Sequence, residues 1–282
     1  MSTFPSYDRT VLAYTTVGTG RPLVCLPGGP GSSVDYLEDL AGLGEVRTLV
    51  MPDPRATGHS EVPADPTTLR FDRLALDLEA LREHLGLEQV DVLGHSAGAV
   101  TAQAWAAQYP SSVGRLVLLT PSDHLQAGTR EDVPGIRESY AAEPWYADAT
   151  EALAELPDAL PAQRASLQRA VLPFQYSRWD ARAQAHAARA EALMSKRAQL
   201  GYITGADQVD LPAMVARLAQ VTAPVLVVAG TRDAVSGRLS AERVAASFPS
   251  STLVLVEGAG HHPWVDEPDA FRAAVRGFLS GE

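Results

Sequence analysis

One cysteine, Cys25, and one lysine, Lys196, are all that the 282 residues contain of either type. A lone cysteine excludes an intrachain disulfide and a cysteine-based metal site. It lies in the apolar run Leu23-Val24-Cys25-Leu26, where a thiol behaves as a small hydrophobe, so a packing role is expected. The histidines show no spacing suited to zinc, and neither metal nor other cofactor is expected. Basic runs are missing too: 23 Lys+Arg against 34 Asp+Glu leave a formal charge of −11. Binding a phosphate backbone needs clustered cations that release counterions. Nucleic acid is therefore excluded as a partner, and so is docking to an anionic membrane. The acidity is read as serving solubility. No apolar run is long enough to span a bilayer. Met1 to Asp8 contains no basic stretch followed by an apolar one, so no secretory signal and a cytoplasmic location are expected.

Hydrophobic residues make up 46% and charged residues 20%, enough to build a sizeable core. Short apolar runs recur: Arg47–Met51, Gln89–Leu93, Arg115–Thr120, Pro224–Ala229 and Ser251–Val256. They are apolar on both faces, as strands are when helices cover both sides of a parallel sheet. Val11–Thr16 and Pro22–Leu26 flank Gly18-Thr19-Gly20 and read as an antiparallel pair. Between the strands lie helical patterns. Leu74, Leu78, Leu81 and Leu85 form one apolar stripe, with Asp72 as its expected cap and Gly86 as its stop. Alternating strands and helices give an α/β class, a mostly parallel doubly wound sheet. From about 121 to 211 the alternation stops. Pro134, Pro144, Pro157, Pro161 and Pro173 cut this stretch into short helices, and Arg178–Leu200 is its longest piece. It is far longer than a crossover needs. The expected organisation is a core of 1–120 and 212–282 with a helical cap of 121–211.

The chemistry is concentrated where the strand Gln89–Leu93 runs into Gly94-His95-Ser96-Ala97-Gly98, followed by a helix-like stretch. This is a G-x-S-x-G turn with a strand before it and a helix after it. Such a turn is sharp enough to lift the serine hydroxyl above the sheet and to leave the Ala97 N–H free at a helix start. A hydroxyl is a weak nucleophile until a base takes its proton. His261, in Gly258-Ala259-Gly260-His261 after the last strand, is the candidate base, with His262 as its rival. Asp233, just past the strand Pro224–Ala229, is the candidate acid that orients the imidazole. Asp123 is the alternative acid. In Leu26-Pro27-Gly28-Gly29-Pro30-Gly31, consecutive glycines let a backbone N–H approach a substrate oxygen. Gly29 and Ala97 are the expected oxyanion donors. A dinucleotide loop is excluded, because no G-x-G-x-x-G is present.

Together these segments resemble the α/β-hydrolase superfamily, and more narrowly its proline iminopeptidase-like branch. That branch pairs an H-G-G-P-G loop with a D-x-R-G-x-G-x-S segment. Here Pro27–Gly31 and Asp53-Pro54-Arg55-Ala56-Thr57-Gly58-His59-Ser60 stand at those places. The resemblance implies an α/β-hydrolase fold with Ser96, Asp233 and His261 as triad. Pro27 replaces the usual histidine, Ala56 the usual glycine, and the elbow is not the Ser-Trp-Gly type. Epoxide hydrolases and haloalkane dehalogenases share the fold but resemble the chain less, since their nucleophile is an aspartate.

The leading functional reading is a serine hydrolase that cleaves an ester, lactone or amide bond of a small molecule or short peptide. The alternative is a non-hydrolytic enzyme of the same fold, a lyase or cyclase, or a small-molecule binding protein. Trp145, Trp179, Tyr36 and Trp264 are candidates for the substrate pocket. An aminopeptidase also needs carboxylates for the substrate's ammonium group; Glu131, Asp132, Glu138 and Glu143 are the cap residues available.

Overall fold

The computed structural model describes residues 1–280. Eight strands form one sheet in the order β1-β2-β4-β3-β5-β6-β7-β8. They are β1 (Ser2–Pro5), β2 (Val11–Val17), β3 (Pro22–Leu26), β4 (Thr48–Pro52), β5 (Val90–His95), β6 (Val113–Leu119), β7 (Val225–Gly230) and β8 (Ser251–Val256). The six strands β3 to β8 pair in parallel, while β1 and β2 run antiparallel at one edge. The sheet is that of an α/β-hydrolase fold.

The alternation within each strand explains why so many residues are apolar. In β3, Leu23 and Cys25 enter one core cluster while Val24 and Leu26 enter the other. In β7, Leu226 and Val228 face one way and Val225, Val227 and Ala229 the other. Both faces are covered, so neither tolerates polar residues. On the first face, that of Val24, Leu26, Val225, Val227 and Ala229, lie α1 (Phe71–His84), α2 (Ala97–Gln108), α8 (Leu211–Leu218) and α9 (Arg238–Ala246). The Ala-rich α2 is buried over Ala97–Ala107, which lets it sit close under the strands. On the second face, α11 (Pro268–Ser280) packs through Phe271, Val275 and Leu279, one stripe at spacing four.

The expected β2–β3 hairpin is not formed. Strand β4 lies between them, antiparallel to β2 and parallel to β3. Apolar on both faces, β4 takes a place inside the sheet, and the Gly18–Gly20 turn passes over its start instead, with Thr48 Oγ1 donating to the Gly20 carbonyl. Strand β1 carries too little pattern to be read from sequence. Asp72 is not the cap of α1: Arg70 occupies that position, and Asp72 pairs with its guanidinium at 2.5 Å. Gly86 follows α1 with φ 68°, as the stop signal requires.

The stretch between β6 and α8 contains helices α3 (Val133–Glu138), α4 (Tyr146–Glu155), α5 (Pro161–Ala170), α6 (Ala181–Ala192) and α7 (Lys196–Ile203). The expected long helix Arg178–Leu200 is broken at Leu193–Ser195. There the backbone bonds instead to the loop after β3: Ser33 N–H to the Leu193 carbonyl at 3.1 Å and Ser195 N–H to the Gly31 carbonyl at 2.8 Å. This stitch places the helices over the strand ends that carry the site. Among the described residues no helix is long and apolar enough to cross a membrane.

Candidate active site

Ser96 sits between β5 and α2 with φ 53° and ψ −114°, a conformation that costs a side-chain-bearing residue strain. The neighbouring glycines make the turn feasible. A Cβ on Gly94 would lie 2.6 Å from the Gly98 carbonyl oxygen, and one on Gly98 would lie 2.5 Å from the carbonyl oxygens of Leu26 and Pro27. The turn is held from below by the Ser96 N–H, which donates to the Leu119 carbonyl at 2.9 Å.

His261 comes from the loop after β8. Its Nε2 lies 3.0 Å from Ser96 Oγ, and its Nδ1 lies 3.1 Å from both oxygens of Asp233. Asp233 follows β7 and is fully buried. Its Oδ1 also accepts the N–H groups of Val235 and Ser236, at 2.9 and 3.0 Å. Burial alone would raise this carboxyl, but the His261 imidazole and the two amides outweigh it and hold it below the usual carboxylate range. The acid is therefore ionised at neutral pH, fixes Nδ1 as the protonated nitrogen and leaves Nε2 free to take the Ser96 proton. His262 points elsewhere, with Nε2 against Gln175 Oε1 at 3.1 Å. Asp123 pairs with Arg243 at 3.0 Å and is no partner of the imidazole.

The Gly29 and Ala97 N–H groups have no hydrogen-bond partner among the described residues. Gly29 lies on the cavity wall beside Ser96, with φ 113°. Its neighbour Gly28 donates to Tyr36 Oη at 2.6 Å. Tyr36 stands on a single helical turn, Val34–Leu37, whose first N–H is held by Asp53 Oδ1 at 3.1 Å. The other Asp53 oxygen takes the His59 N–H at 2.9 Å, and Arg55 binds Asp77 on α1 through two nitrogens at 2.6 and 2.5 Å. The Asp53–Ser60 segment is thus a brace under the site.

The cavity over Ser96 has a volume of about 280 Å³ and is partly open to solvent. Its floor contains Gly29, Tyr36, His95, Ser96, His261 and His262; its roof is Gln168 to Leu172 with residues of α6 and α7. Of the four aromatic candidates only Tyr36 lines it. Trp264 is buried against His95 and Phe271, because an indole three residues past His261 falls on the core side of the short helix α10 (Pro263–Asp266). Trp145 packs on Tyr140 and Phe174, and Trp179 on Tyr176. None of the four cap carboxylates lines the cavity either. Glu131 pairs with Arg243, Asp132 accepts the N–H groups of Arg238 and Leu239, Glu138 accepts from Tyr146 Oη, and Glu143 lies away from the cavity wall. Among the described residues the one carboxylate on the wall is Glu191, bound to Arg169 at 2.6 Å. Sequence reading missed Gln168, Gln175, Met194 and Gln199, which lie on the wall without any motif.

No group of three or more His, Cys, Asp or Glu suited to a metal ion occurs among the described residues. The chain is 38% identical over 104 residues to a proline iminopeptidase of Heyndrickxia coagulans, a match over 37% of this chain and 36% of that protein. It thus aligns with about a third of the length of that curated relative. Its fold matches an esterase from Exiguobacterium antarcticum with a TM-score of 0.75 at 20% identity, covering 99% of both chains. It also matches the enol-lactonase from Burkholderia xenovorans LB400 with a TM-score of 0.73 at 21% identity, covering 99% of this chain and 100% of that one. Residues 21–268, which carry all but the first two strands of the sheet, match the family described as alpha/beta hydrolase fold: the chain belongs to the alpha/beta hydrolase fold family.

Proposed function

We propose that this protein is a serine hydrolase acting on an uncharged ester or lactone. The observation that carries the reading is the relay Asp233–His261–Ser96, with contacts of 3.1 and 3.0 Å, opening on a cavity whose one carboxylate among the described residues is paired with an arginine. Ser96 Oγ attacks the carbonyl carbon as its proton passes to His261 Nε2. The carbonyl oxygen becomes an oxyanion between the Gly29 and Ala97 N–H groups, donors preorganised where charge develops. His261 then returns the proton to the leaving oxygen, the C–O bond breaks, and an acyl-Ser96 remains. Water, deprotonated by the same imidazole, releases the acid and restores the serine.

Amide cleavage is the second reading, favoured by the 38% identity to a proline iminopeptidase. Against it stands the wall: binding an ammonium group there leaves its charge unmatched, and unpaired burial of charge is costly. The test is turnover of an activated ester and of a prolyl amide by the protein and by Ser96→Ala. Ester hydrolysis lost by a factor of about 10⁴ or more in the variant is the expected result. Ser96-dependent cleavage of the prolyl amide alone replaces the ester reading with the peptidase one. No Ser96-dependent turnover of either overturns both.

A further inference from the structure

One hydrogen-bonded chain joins the two loops that the proposed reaction needs. The His261 carbonyl can only accept, so the contact of 3.0 Å from His95 Nε2 makes that nitrogen the protonated one. His95 is 2% exposed, and burial keeps its imidazole neutral. Its Nδ1 is therefore an acceptor, and the Tyr36 hydroxyl 2.6 Å away donates to it. The same Tyr36 oxygen accepts the Gly28 N–H at 2.6 Å. The direction is set throughout: Gly28 N–H to Tyr36, Tyr36 O–H to His95, His95 N–H to His261. At its other end Tyr36 is gripped through its carbonyl by His186 Nε2 at 2.9 Å, and His186 Nδ1 faces the Tyr176 hydroxyl at 2.8 Å.

Pro27 has no side-chain donor or acceptor, so among the described residues the Tyr36 hydroxyl is the one side-chain hydrogen bond to Pro27, Gly28 or Gly29. An oxyanion donor acts only if it is held to within about 0.5 Å of its productive position. We propose that Tyr36 and His95 are positioning residues, which hold the Gly28–Gly29 loop in register with the loop of the base His261. The proposal rests on the hydrolase reading above. Neither residue needs to touch the reacting atoms. Tyr36→Phe removes one oxygen, leaving the Gly28 N–H and His95 Nδ1 unpaired and the loop free to shift.

The experiment measures the rate at which a fluorophosphonate labels Ser96, whatever the natural substrate, in the full chain, Tyr36→Phe, His95→Leu and the double variant, with Ser96→Ala as blank. Thermal melts check folding. Labelling is expected to slow about 10- to 100-fold in Tyr36→Phe, less than the loss of a whole oxyanion donor. The double variant is expected to be no slower than the slower single one, because the two act through one chain. On any ester that is turned over, kcat falls and KM holds. Labelling at the wild-type rate by folded Tyr36→Phe, a rise in KM alone, or losses that multiply in the double variant would overturn the proposal. Absence of labelling in the unsubstituted protein instead overturns the hydrolase reading, and the proposal falls with it.

Discussion

The floor and the roof of the cavity are built on different principles. Floor residues sit on loops leaving parallel strands, each tied by hydrogen bonds to backbone or to buried side chains: Ser96 to the Leu119 carbonyl, His261 to the Asp233 carboxylate and the Gln175 carbonyl, Tyr36 to the Gly28 N–H and the His95 imidazole. Roof residues stand on ordinary helices and touch one another through exposed pairs such as Arg169–Glu191, whose side chains are 66% and 39% exposed. Exposed pairs contribute little to stability, so the exposed part of the roof is free to change where the floor is not. On the proposed reading, chemistry belongs to the floor and choice of substrate to the roof. Asp266 joins them: its Oδ2 accepts the Gly260 N–H beside His261 and the Ser177 N–H of the roof segment, at 2.7 and 3.1 Å.

The contrast can be broken at several points. The largest effect is expected at the floor. Asp233→Asn keeps the shape but presents the wrong group to His261 Nδ1, and kcat on an activated ester should fall about 10⁴-fold. Steady-state kinetics with a loss under tenfold would show that the imidazole does not need its acid. At the junction, burial pushes the Asp266 carboxyl up to about 6 from 3.8. The folded protein then binds this proton more tightly than the unfolded chain. Its contribution is complete below 3.8 and disappears as pH rises through about 6. Thermal melts across that window should show wild type losing stability relative to Asp266→Asn, then running parallel to it above pH 6. Equal slopes throughout would refute the assignment.

At the roof, Glu191→Gln should leave KM for a neutral ester within about threefold, since the pair it breaks is exposed. The freed Arg169 should lower KM for an ester that carries a carboxylate in its acyl group. A kcat change larger than the KM change would move Glu191 from roof to floor. The smallest effect is expected beneath the floor. Ala56 stands where the resembling family has glycine and adopts φ 59°. Ala56→Gly relieves a left-handed strain of about 1 kcal/mol, partly offset by a looser unfolded chain. Urea unfolding should show unchanged or slightly raised stability, and a clear loss would mean that the alanine methyl packs usefully.

Much of the floor is legible in the sequence because covalent geometry demands it. Gly94 and Gly98 cannot carry a Cβ, so a serine between them on a strand-to-helix turn is nearly self-announcing. The strands β4 to β7 are legible as runs apolar on both faces, for the same reason that they are buried on both, and the edge strand β8 keeps the apolar run though it is mostly half-buried. The antiparallel placement of β2 and β3 misleads, because a glycine turn between two strands says nothing about a third strand entering between them. Trp145, Trp179 and Trp264 mislead too. A large aromatic is drawn to a core as readily as to a pocket, and here three of the four went to packing.

By itself the sequence determined the fold class, the strand-to-helix serine turn and the residue types that meet there, since each follows from local spacing and chain direction. Only the tertiary structure decided which histidine meets Ser96, which acid meets that histidine, and that Tyr36 and His95 tie the two loops together. Ser96 and His261 are 165 residues apart yet 3.0 Å distant. Contacts at that separation are selected by how the strands stack and where the chain crosses over, and no local pattern records that.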